Sequence, residues 1–362
     1  MTILDYIRRN AEHCPDKVAI TDKGDFFTYG EVYSRMAKSE QLPIPLLGEA
    51  WDGDFTLHTT GTTGEPKAVT IKQERVLRDS LNLIRAHGYR KGIQFIIAGP
   101  MTHLGCWSKI FPTLIVGGTL HILLDGMKDL DAFYEIMRKG EQRYATFLVP
   151  SALHMLIQLD AKRLGSMADR IDFIETGAAP MPHEDMVRLC QILPRTRLYN
   201  TYASTEQGIV ATYNYNDGGI CTVKKAGCCG VPFDNVGFTI NKEGIIDGSN
   251  DLGYLDEEGL LHIVGMQDDM INVGGLKVSP VEVEEAALLS SMVQDCMCVP
   301  RSHPLMGQVP ALLLVMKHGA TLDKKTLARH LLQELGETHK VPLYYEVVDS
   351  IPYTFNGKRK RN

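Results

Sequence analysis

The chain has 362 residues, enough for two or three domains with buried cores, and its 44% hydrophobic and 23% charged residues are the balance of an ordinary soluble globular protein. A formal net charge of -6 argues against a general nucleic-acid-binding surface, and no uninterrupted apolar run approaches membrane-spanning length. The opening MTILDYIRRNAEH is charged throughout, unlike a secretory leader, and the 8 cysteines show no Cys-x-x-Cys spacing, so reduced thiols and a cytoplasmic location are expected.

In chain order, residues 2–13 read as a helix with Thr2 as its cap and Leu4, Ile7 and Ala11 on one face. Residues 18–21 and 26–28 read as a hairpin, and 29–37 as a second helix. Residues 38–54, punctuated by Pro43, Pro45 and Gly48, form an irregular link. Residues 55–58 and 69–71 then read as strands around Thr59, Thr60, Gly61, Thr62, Thr63, Gly64, Glu65, Pro66 and Lys67. In that stretch the glycines let backbone N–H groups turn toward an anion, the threonine hydroxyls add small donors, and Lys67 adds positive charge. Such a loop suits a polyphosphate, although no Gly-Lys-Ser/Thr leads into a helix as in a Walker loop. A plain threonine-rich hairpin turn is the other reading of the same residues.

Helices are predicted at 74–87, with Leu77, Leu81 and Ile84 inward and Gly88 as the stop, and at 111–114, 130–139 and 151–159, the last capped by Ser151. Strands are predicted at 94–98, 119–123, 144–149, 173–176 and 197–199. This alternation implies an α/β fold with a mainly parallel sheet covered on both faces. Ligands of such sheets gather beyond the strand carboxyl ends, where residues 59–67, 101–104, 177–180 and 200–206 fall. After Gly230 the chain turns β-rich, with short strands at 236–240 and 244–248 and a hairpin over 253–265 turning at Glu257, Glu258 and Gly259. Residues 267–269 lead into a small α+β unit with helices at 280–289 and 324–335 and a strand at 311–316. The expected domains are 1–267 and 268–362.

Several short stretches carry chemistry. Glu206, in Tyr202-Ala203-Ser204-Thr205-Glu206, is a carboxylate beyond a strand end and suits Mg2+ bound to phosphate oxygens; Thr205 offers a phosphate donor and Tyr202 a ring for a purine. A surface loop with an ordinary glutamate is the alternative. Gly177, Ala178 and Ala179, between Thr176 and Pro180, leave room for a flat ligand against the backbone, or serve only a tight turn. Lys358 to Arg361 is either a site lysine with its neighbours or a solvated basic tail.

TTGTTGEPK resembles the phosphate loop of the adenylate-forming superfamily, which includes acyl-CoA synthetases, adenylation domains and luciferases. Further segments resemble that family in the same order: Tyr202 to Glu206, Asp251-Leu252-Gly253, VGMQDDMINVGGLKVSPVEVE, and Pro352 to Lys358. The resemblance implies ATP and Mg2+ as the activating pair and coenzyme A, or the pantetheine of an acyl carrier protein, as thiol acceptor. It implies an AMP-forming ligase that makes an acyl-adenylate and then a thioester. By the same resemblance Lys358 bridges the carboxylate and the α-phosphate, Glu206 holds the metal, and His103 meets the incoming carboxylate. The nucleotide would be held by Thr59 to Gly64, Lys67, Gly177, Ala178, Ala179, Asn200, Thr201, Tyr202, Thr205 and Asp251. Asp268 would be the hinge, and Gly274, Gly275 and Lys277 the face that meets the thiol. Amino-acid-activating relatives have an aspartate in the segment matching residues 100–105; this chain has none, which favours an acid without an α-amino group.

The chain departs from the family pattern in the shortness of residues 38–54, in a trimmed stretch before Asp251, in Ala203 where glycine is usual, and in Met266 where arginine is usual. The missing arginine is expected to weaken nucleotide binding by about 1–3 kcal/mol. These departures keep open a second reading, a nucleotide- or acyl-binding relative that has lost catalysis.

Overall fold

The computed structural model describes residues 1–38, 54–60, 66–101, 103–123, 126–140, 142–224, 227–353 and 359–361. The first helix, α1 (Ile3–His13), is capped by Thr2, whose hydroxyl accepts from the Asp5 amide while Asp5 reaches back to the Thr2 N–H. It buries Ile3, Ile7 and Ala11, and α2 (Tyr29–Ala37) repeats the same reciprocal cap with Thr28 and Glu31. Strands β1 (Val18–Asp22) and β2 (Asp25–Thr28) pair as the expected hairpin. Strands β3 (Phe55–Thr60) and β4 (Pro66–Ile71) form a separate antiparallel pair, so residues 61–65 of the threonine-rich stretch lie outside the described residues.

The central sheet adds β5 (Gln94–Ile97), β6 (Thr119–Ile122), β7 (Tyr144–Phe147), β8 (Ile171–Gly177), β9 (Arg197–Ser204) and β10 (Gly208–Asn214). Its eight strands run in the order β10-β9-β8-β7-β5-β6-β1-β2. The pairs from β9 to β1 are parallel, and the edge strands β10 and β2 are antiparallel. Alternation along the strands feeds two cores, because successive side chains point to opposite faces. Phe95, Ile97 and Phe173 pack with α1, α2, α3 (Gln73–His87), α4 (Leu104–Trp107) and α5 (Ile110–Ile115). Ile96 and Ile174 pack on the other face with α6 (Leu130–Lys139), α7 (Pro150–Leu159), α8 (Ala161–Ser166) and α9 (His183–Ile192). The expected α/β architecture is therefore the observed one.

Several local readings change. Helix α3 buries Val76, Asp79, Ser80, Asn82, Leu83 and His87, whereas Leu77 and Ile84 only flank the core. Each buried polar side chain on that face has at least one partner: Asp79 the Ile209 amide, Ser80 the Val76 carbonyl, Asn82 the Asn235 amide and His87, through Nε2, the Thr212 hydroxyl. Helix α7 starts one residue earlier than expected. Pro150 occupies its first turn, Val149 is the cap residue and no side chain caps it, so Ser151 has no such role. Residues 200–204 continue β9 rather than forming a loop, because β10 pairs with them. Residues 236–240 and 244–248 contribute the isolated bridges Ile240–Ile246 and Ile245–Leu252 instead of strands.

Residues 251–255 and 261–266 form the predicted hairpin, and the one-turn helix Gln267–Asp269 leads out of it. Beyond it a five-stranded sheet, built mainly on Val293–His303 and Gly307–Met316, packs with α10 (Pro280–Leu288) and α11 (Lys324–Leu335) around a core of its own. No described helix is long and apolar enough to cross a membrane.

Candidate active site

The carboxyl ends of β5, β7, β8 and β9 open into a cleft of about 1050 Å³, whose opposite wall comes from the small α+β unit. His103, Phe147, Gly177, Thr205 and Glu206 line it from the sheet, and Glu284, Tyr353 and Arg359 from the other side.

The turn that carries Thr205 and Glu206 is held from below by α3. Arg75 donates to the backbone carbonyls of Thr205, at 2.7 Å, and of Glu206, while Arg78 donates to that of Gln207 at 2.8 Å. Asp79 accepts from Arg78 and from the Ile209 amide. Burial lifts the Asp79 carboxyl above its usual range, and Arg78 pulls it partly back. Gly208 sits at a φ of 83°, and a Cβ there would lie 2.0 Å from Asp79 Oδ2. Glycine is required twice over, by conformation and by space. The Glu206 side chain remains exposed at the cleft.

The neighbouring wall is flat because its backbones approach closely: a Cβ on Gly177 would stand 2.5 Å from the Thr201 carbonyl oxygen. Ala178 follows at a φ of 73°, in the left-handed region that costs a residue with a Cβ on the order of 1 kcal/mol. Tyr202 is nearly buried, and its hydroxyl donates to Asp251 Oδ2 at 2.7 Å, tying β9 to the 251–255 strand. Burial and the Asp251 carboxylate both push the Tyr202 phenol well up. Asn200 spends its amide on the Cys228 carbonyl at 2.8 Å. Met266 lines the cleft directly across the strand pair from Asp251.

At the other end of the cleft His103 caps α4, its Nδ1 accepting from the Gly105 amide at 3.1 Å, and its ring lies 5.8 Å from that of Phe147. A Cβ on Gly105 would meet the Phe147 ring at 2.2 Å. Below these rings lies a buried ion pair that the sequence pattern did not reveal. Lys109, between α4 and α5, places Nζ 2.6 Å from Oε1 of Glu175 on β8. Their side chains are 1% and 0% exposed, yet both residues line the cleft. Burial raises the Glu175 carboxyl and Lys109 opposes the shift. His87 stands behind, Nδ1 3.5 Å from Glu175 Oε2, and its burial, reinforced by Lys109 and Arg197, drives its pKa well below the usual value, so the ring is neutral.

The wall from the small unit is another cluster that sequence reading passed over. Glu284 accepts from Arg359 at 3.0 Å, from Arg361 and from the Cys298 amide at 2.8 Å, and Asp295 accepts from Arg359 at 3.0 Å and from Tyr353 at 2.9 Å. The Arg359 and Arg361 side chains are only 15% and 12% exposed, which excludes a solvated basic tail for these two residues. Tyr353 and Arg359 also form a β-bridge, and the Lys360 amide donates to the Pro352 carbonyl, so both flanks of residues 354–358 are fixed. Lys358 itself lies outside the described residues. Across the cleft His154 on α7 contacts Asp185 on α9 at 2.7 Å. Burial works against the His154 charge, but its hydrogen bond to Asp185 and the Asp185 and Asp295 carboxylates outweigh it and raise its pKa.

The cleft thus brings together His103, Gly177, Ala178, Ala179, Asn200, Thr201, Tyr202, Thr205, Glu206, Asp251 and Asp268. Gly274, Gly275 and Lys277 are not among its lining residues; the two glycines form the turn between strands Ile271–Val273 and Leu276–Val278, and the Lys277 side chain is exposed. Gly61, Thr62, Thr63 and Gly64 lie outside the described residues, and Thr59, Thr60 and Lys67 are described as strand backbone only. Among the described residues no three His, Cys, Asp or Glu side chains converge as a metal cage. Glu206 alone fits the open arrangement in which Mg2+ takes one carboxylate and completes its shell with phosphate and water.

Residues 45–255 match the AMP-binding enzyme family, and residues 282–358 its C-terminal domain. A 2-succinylbenzoate–CoA ligase of Bacillus cereus is 26% identical over 89% of this chain and 75% of its own length. One of Staphylococcus aureus is 27% identical over 89% of this chain and 69% of its own. In fold, the chain matches O-succinylbenzoate coenzyme A synthetase from Bacillus subtilis in complex with AMP, with a TM-score of 0.76 and 17% identity, over 100% of this chain and 97% of that one. The chain belongs to the AMP-binding enzyme family, the adenylate-forming, AMP-forming acid–thiol ligases of the acyl-CoA synthetase type.

Proposed function

We propose that this chain uses ATP to convert a small-molecule carboxylic acid into its acyl-adenylate, and then transfers the acyl group to the thiol of coenzyme A. The observation that carries this reading is the cleft itself, where the Thr205–Glu206 turn, the Gly177–Ala179 wall, the Tyr202–Asp251 pair and His103 meet in one space. A carboxylate is a poor electrophile because its leaving group would be oxide, and esterification with AMP supplies a better one. The protein's task is then mainly to position charge and to neutralise it.

In this reading residues 59–67 hold the β- and γ-phosphates, and the adenine lies between the Gly177–Ala179 backbone and the Tyr202 ring. Asp251, oriented by Tyr202, accepts from the ribose hydroxyls. Asn200 and Thr201 act through the shape of β9, and Thr205 donates to the α-phosphate. Bound Mg2+ would shield and orient the phosphate oxygens, and Glu206 is the carboxylate that would hold it. Arg75 fixes the backbone from which Glu206 projects. His103 meets the incoming carboxylate, and Lys358 neutralises charge developing between that carboxylate and the α-phosphate. Anchoring of both flanks of residues 354–358 by Arg359 and Tyr353 supports a positioned lysine over a loose tail.

Residues 1–267 act as the adenylate-forming core and 268–362 as a lid that pivots near Asp268, which now accepts from Asn250 at 2.6 Å. Rotation there would bring Gly274, Gly275 and Lys277, which stand off the cleft, toward it for thioester formation. The unpaired state of all the cysteines is compatible with a cytoplasmic location. The test is carboxylate-dependent ATP–pyrophosphate exchange across a panel of aliphatic, aromatic and amino acids. Exchange with an acid lacking an α-amino group is expected. Exchange with amino acids alone, or with none of the panel, contradicts the reading.

A further inference from the structure

We propose that the acid taken by this cleft carries a hydroxyl group remote from the carboxylate that is activated, and that Lys109 and Glu175 recognise that hydroxyl. The inference rests on the acid-activating reading above and names the substrate class of the same site. A Lys–Glu pair whose side chains are 1% and 0% exposed is a costly way to fill a protein interior. Apolar residues of similar volume usually serve stability as well or better. Lys109 Nζ stands 5.5 Å over the Phe147 ring, and the His87 ring and the Thr201 hydroxyl are among the near neighbours of Glu175.

The pair also leaves hydrogen-bonding capacity unused. An ammonium group has three donors. Among the described residues Lys109 spends one on Glu175. Among the described residues Glu175 Oε2 is buried without a hydrogen bond of normal geometry; His87 Nδ1 is 3.5 Å away, and the Thr201 hydroxyl also acts on the carboxyl. A donor and an acceptor thus sit together at the border of the cleft. A hydroxyl answers both, accepting from Lys109 and donating to the carboxylate, whereas a carbonyl answers only the first.

Charge separates the hydroxyl from a second carboxylate. Lys109 and Glu175 cancel, and His87 behind them is neutral, so the floor has no net positive charge to offer a dianion. A second carboxylate would leave an uncompensated negative charge beside Glu175, in a region where charge is weakly screened. A site built to hydrogen-bond a substrate hydroxyl rejects the analogue lacking it far more strongly than a hydrophobic pocket rejects a missing methylene.

The experiment compares ATP–pyrophosphate exchange with parent acids (benzoate, 3-phenylpropanoate, octanoate), their ring-hydroxylated isomers or 8-hydroxyoctanoate, and the matching dicarboxylates. For the wild-type chain, kcat/KM for at least one hydroxy acid should exceed its parent by about 100-fold or more, with its dicarboxylate below both. In Lys109→Met/Glu175→Leu that ratio should fall to within about 3-fold of unity, the hydroxyl then having no partner. Parents that equal every hydroxy acid, a dicarboxylate that is best, or a ratio that survives in the double variant would overturn the inference while leaving acid activation intact. Absence of exchange with any acid overturns the ligase reading and this inference with it. If the double variant does not fold, the wild-type panel still decides, and Lys109→Gln supplies a second, more conservative comparison.

Discussion

Two clusters of buried ionised side chains border the cleft, and they differ in how fully their hydrogen bonds are spent. On the small unit Arg359, Arg361, Tyr353 and the Cys298 amide donate to Glu284 and Asp295 through many bonds, with Arg359 Nε left over among the described residues. On the sheet Lys109 and Glu175 hold each other through one bond, and among the described residues the second carboxylate oxygen makes no hydrogen bond of normal geometry. A multiply bonded network rigidifies what is attached to it, here the flanks of residues 354–358. An unsaturated one retains specific affinity for whatever completes it. The first has the character of a mount and the second of a reader. The comparison can be broken by showing that both behave alike.

The largest expected effect belongs to Lys358, the residue proposed to act at the α-phosphate. Lys358→Ala should lower ATP–pyrophosphate exchange by about 100-fold or more, as expected for losing a donor that acts in the transition state. ATP binding should change little, and thioester formation from supplied acyl-adenylate should survive. Equal loss of both half-reactions in a folded variant contradicts the two-orientation scheme. The mount itself comes next. Arg359→Met should cost about 3 kcal/mol in urea unfolding, because it leaves buried carboxylates short of a counter-charge. Lys109→Met/Glu175→Leu removes both charges together and should change stability by no more than about 1 kcal/mol. If the two variants are equally destabilised, the distinction between mount and reader fails.

Smaller effects concern the nucleotide wall. Met266 faces Asp251 across the strand pair, so Met266→Arg should tighten ATP binding about tenfold by adding the cation this position lacks; unchanged affinity by calorimetry would mean another group already serves. Tyr202→Phe removes the donor that orients Asp251 and should weaken ATP binding several-fold, about 1 kcal/mol. The smallest effect is a pH dependence. The folded pKa of His154 is raised above its unfolded value by Asp185, so the pair's stabilisation is complete below the ordinary histidine value, about 6.5. It is lost as pH rises through the raised value. The Tm advantage of the wild type over Asp185→Asn should shrink as pH increases over that window, and a constant advantage would mean the histidine does not titrate there.

The parts of this molecule that were legible in its sequence share a physical cause. The strands and most helices show their periodicity, and the reciprocal caps at Thr2 and Thr28 are local. The cleft residues from Gly177 to Asp251 are short contiguous motifs. What was not legible depends on partners distant along the chain. Lys109 and Glu175 are separated by 66 positions, and Glu284 and Arg359 by 75. Nothing local to either marks it as paired. The same limit misassigned the inner face of α3, because Asp79, Asn82 and His87 look solvent-facing until Ile209, Asn235 and Thr212 are placed against them. Pro150 displaced Ser151 from the helix start because a proline suits the first turn as well as a capping hydroxyl suits the position before it.

The central claim is that this cleft activates its acid by attack of the carboxylate on the α-phosphate of ATP. It is tested most directly by following oxygen. The acid that best supports exchange is prepared with ¹⁸O in its carboxylate and turned over once with ATP and coenzyme A, and the phosphorus products are analysed by mass spectrometry. Attack at the α-phosphate forms a new O–P bond and expels pyrophosphate, and thiolysis then breaks the acyl C–O bond, so one labelled oxygen must leave with AMP. The account predicts ¹⁸O in AMP, with pyrophosphate unlabelled. Label in inorganic phosphate with ADP as co-product, or thioester formed without label in AMP, would contradict it.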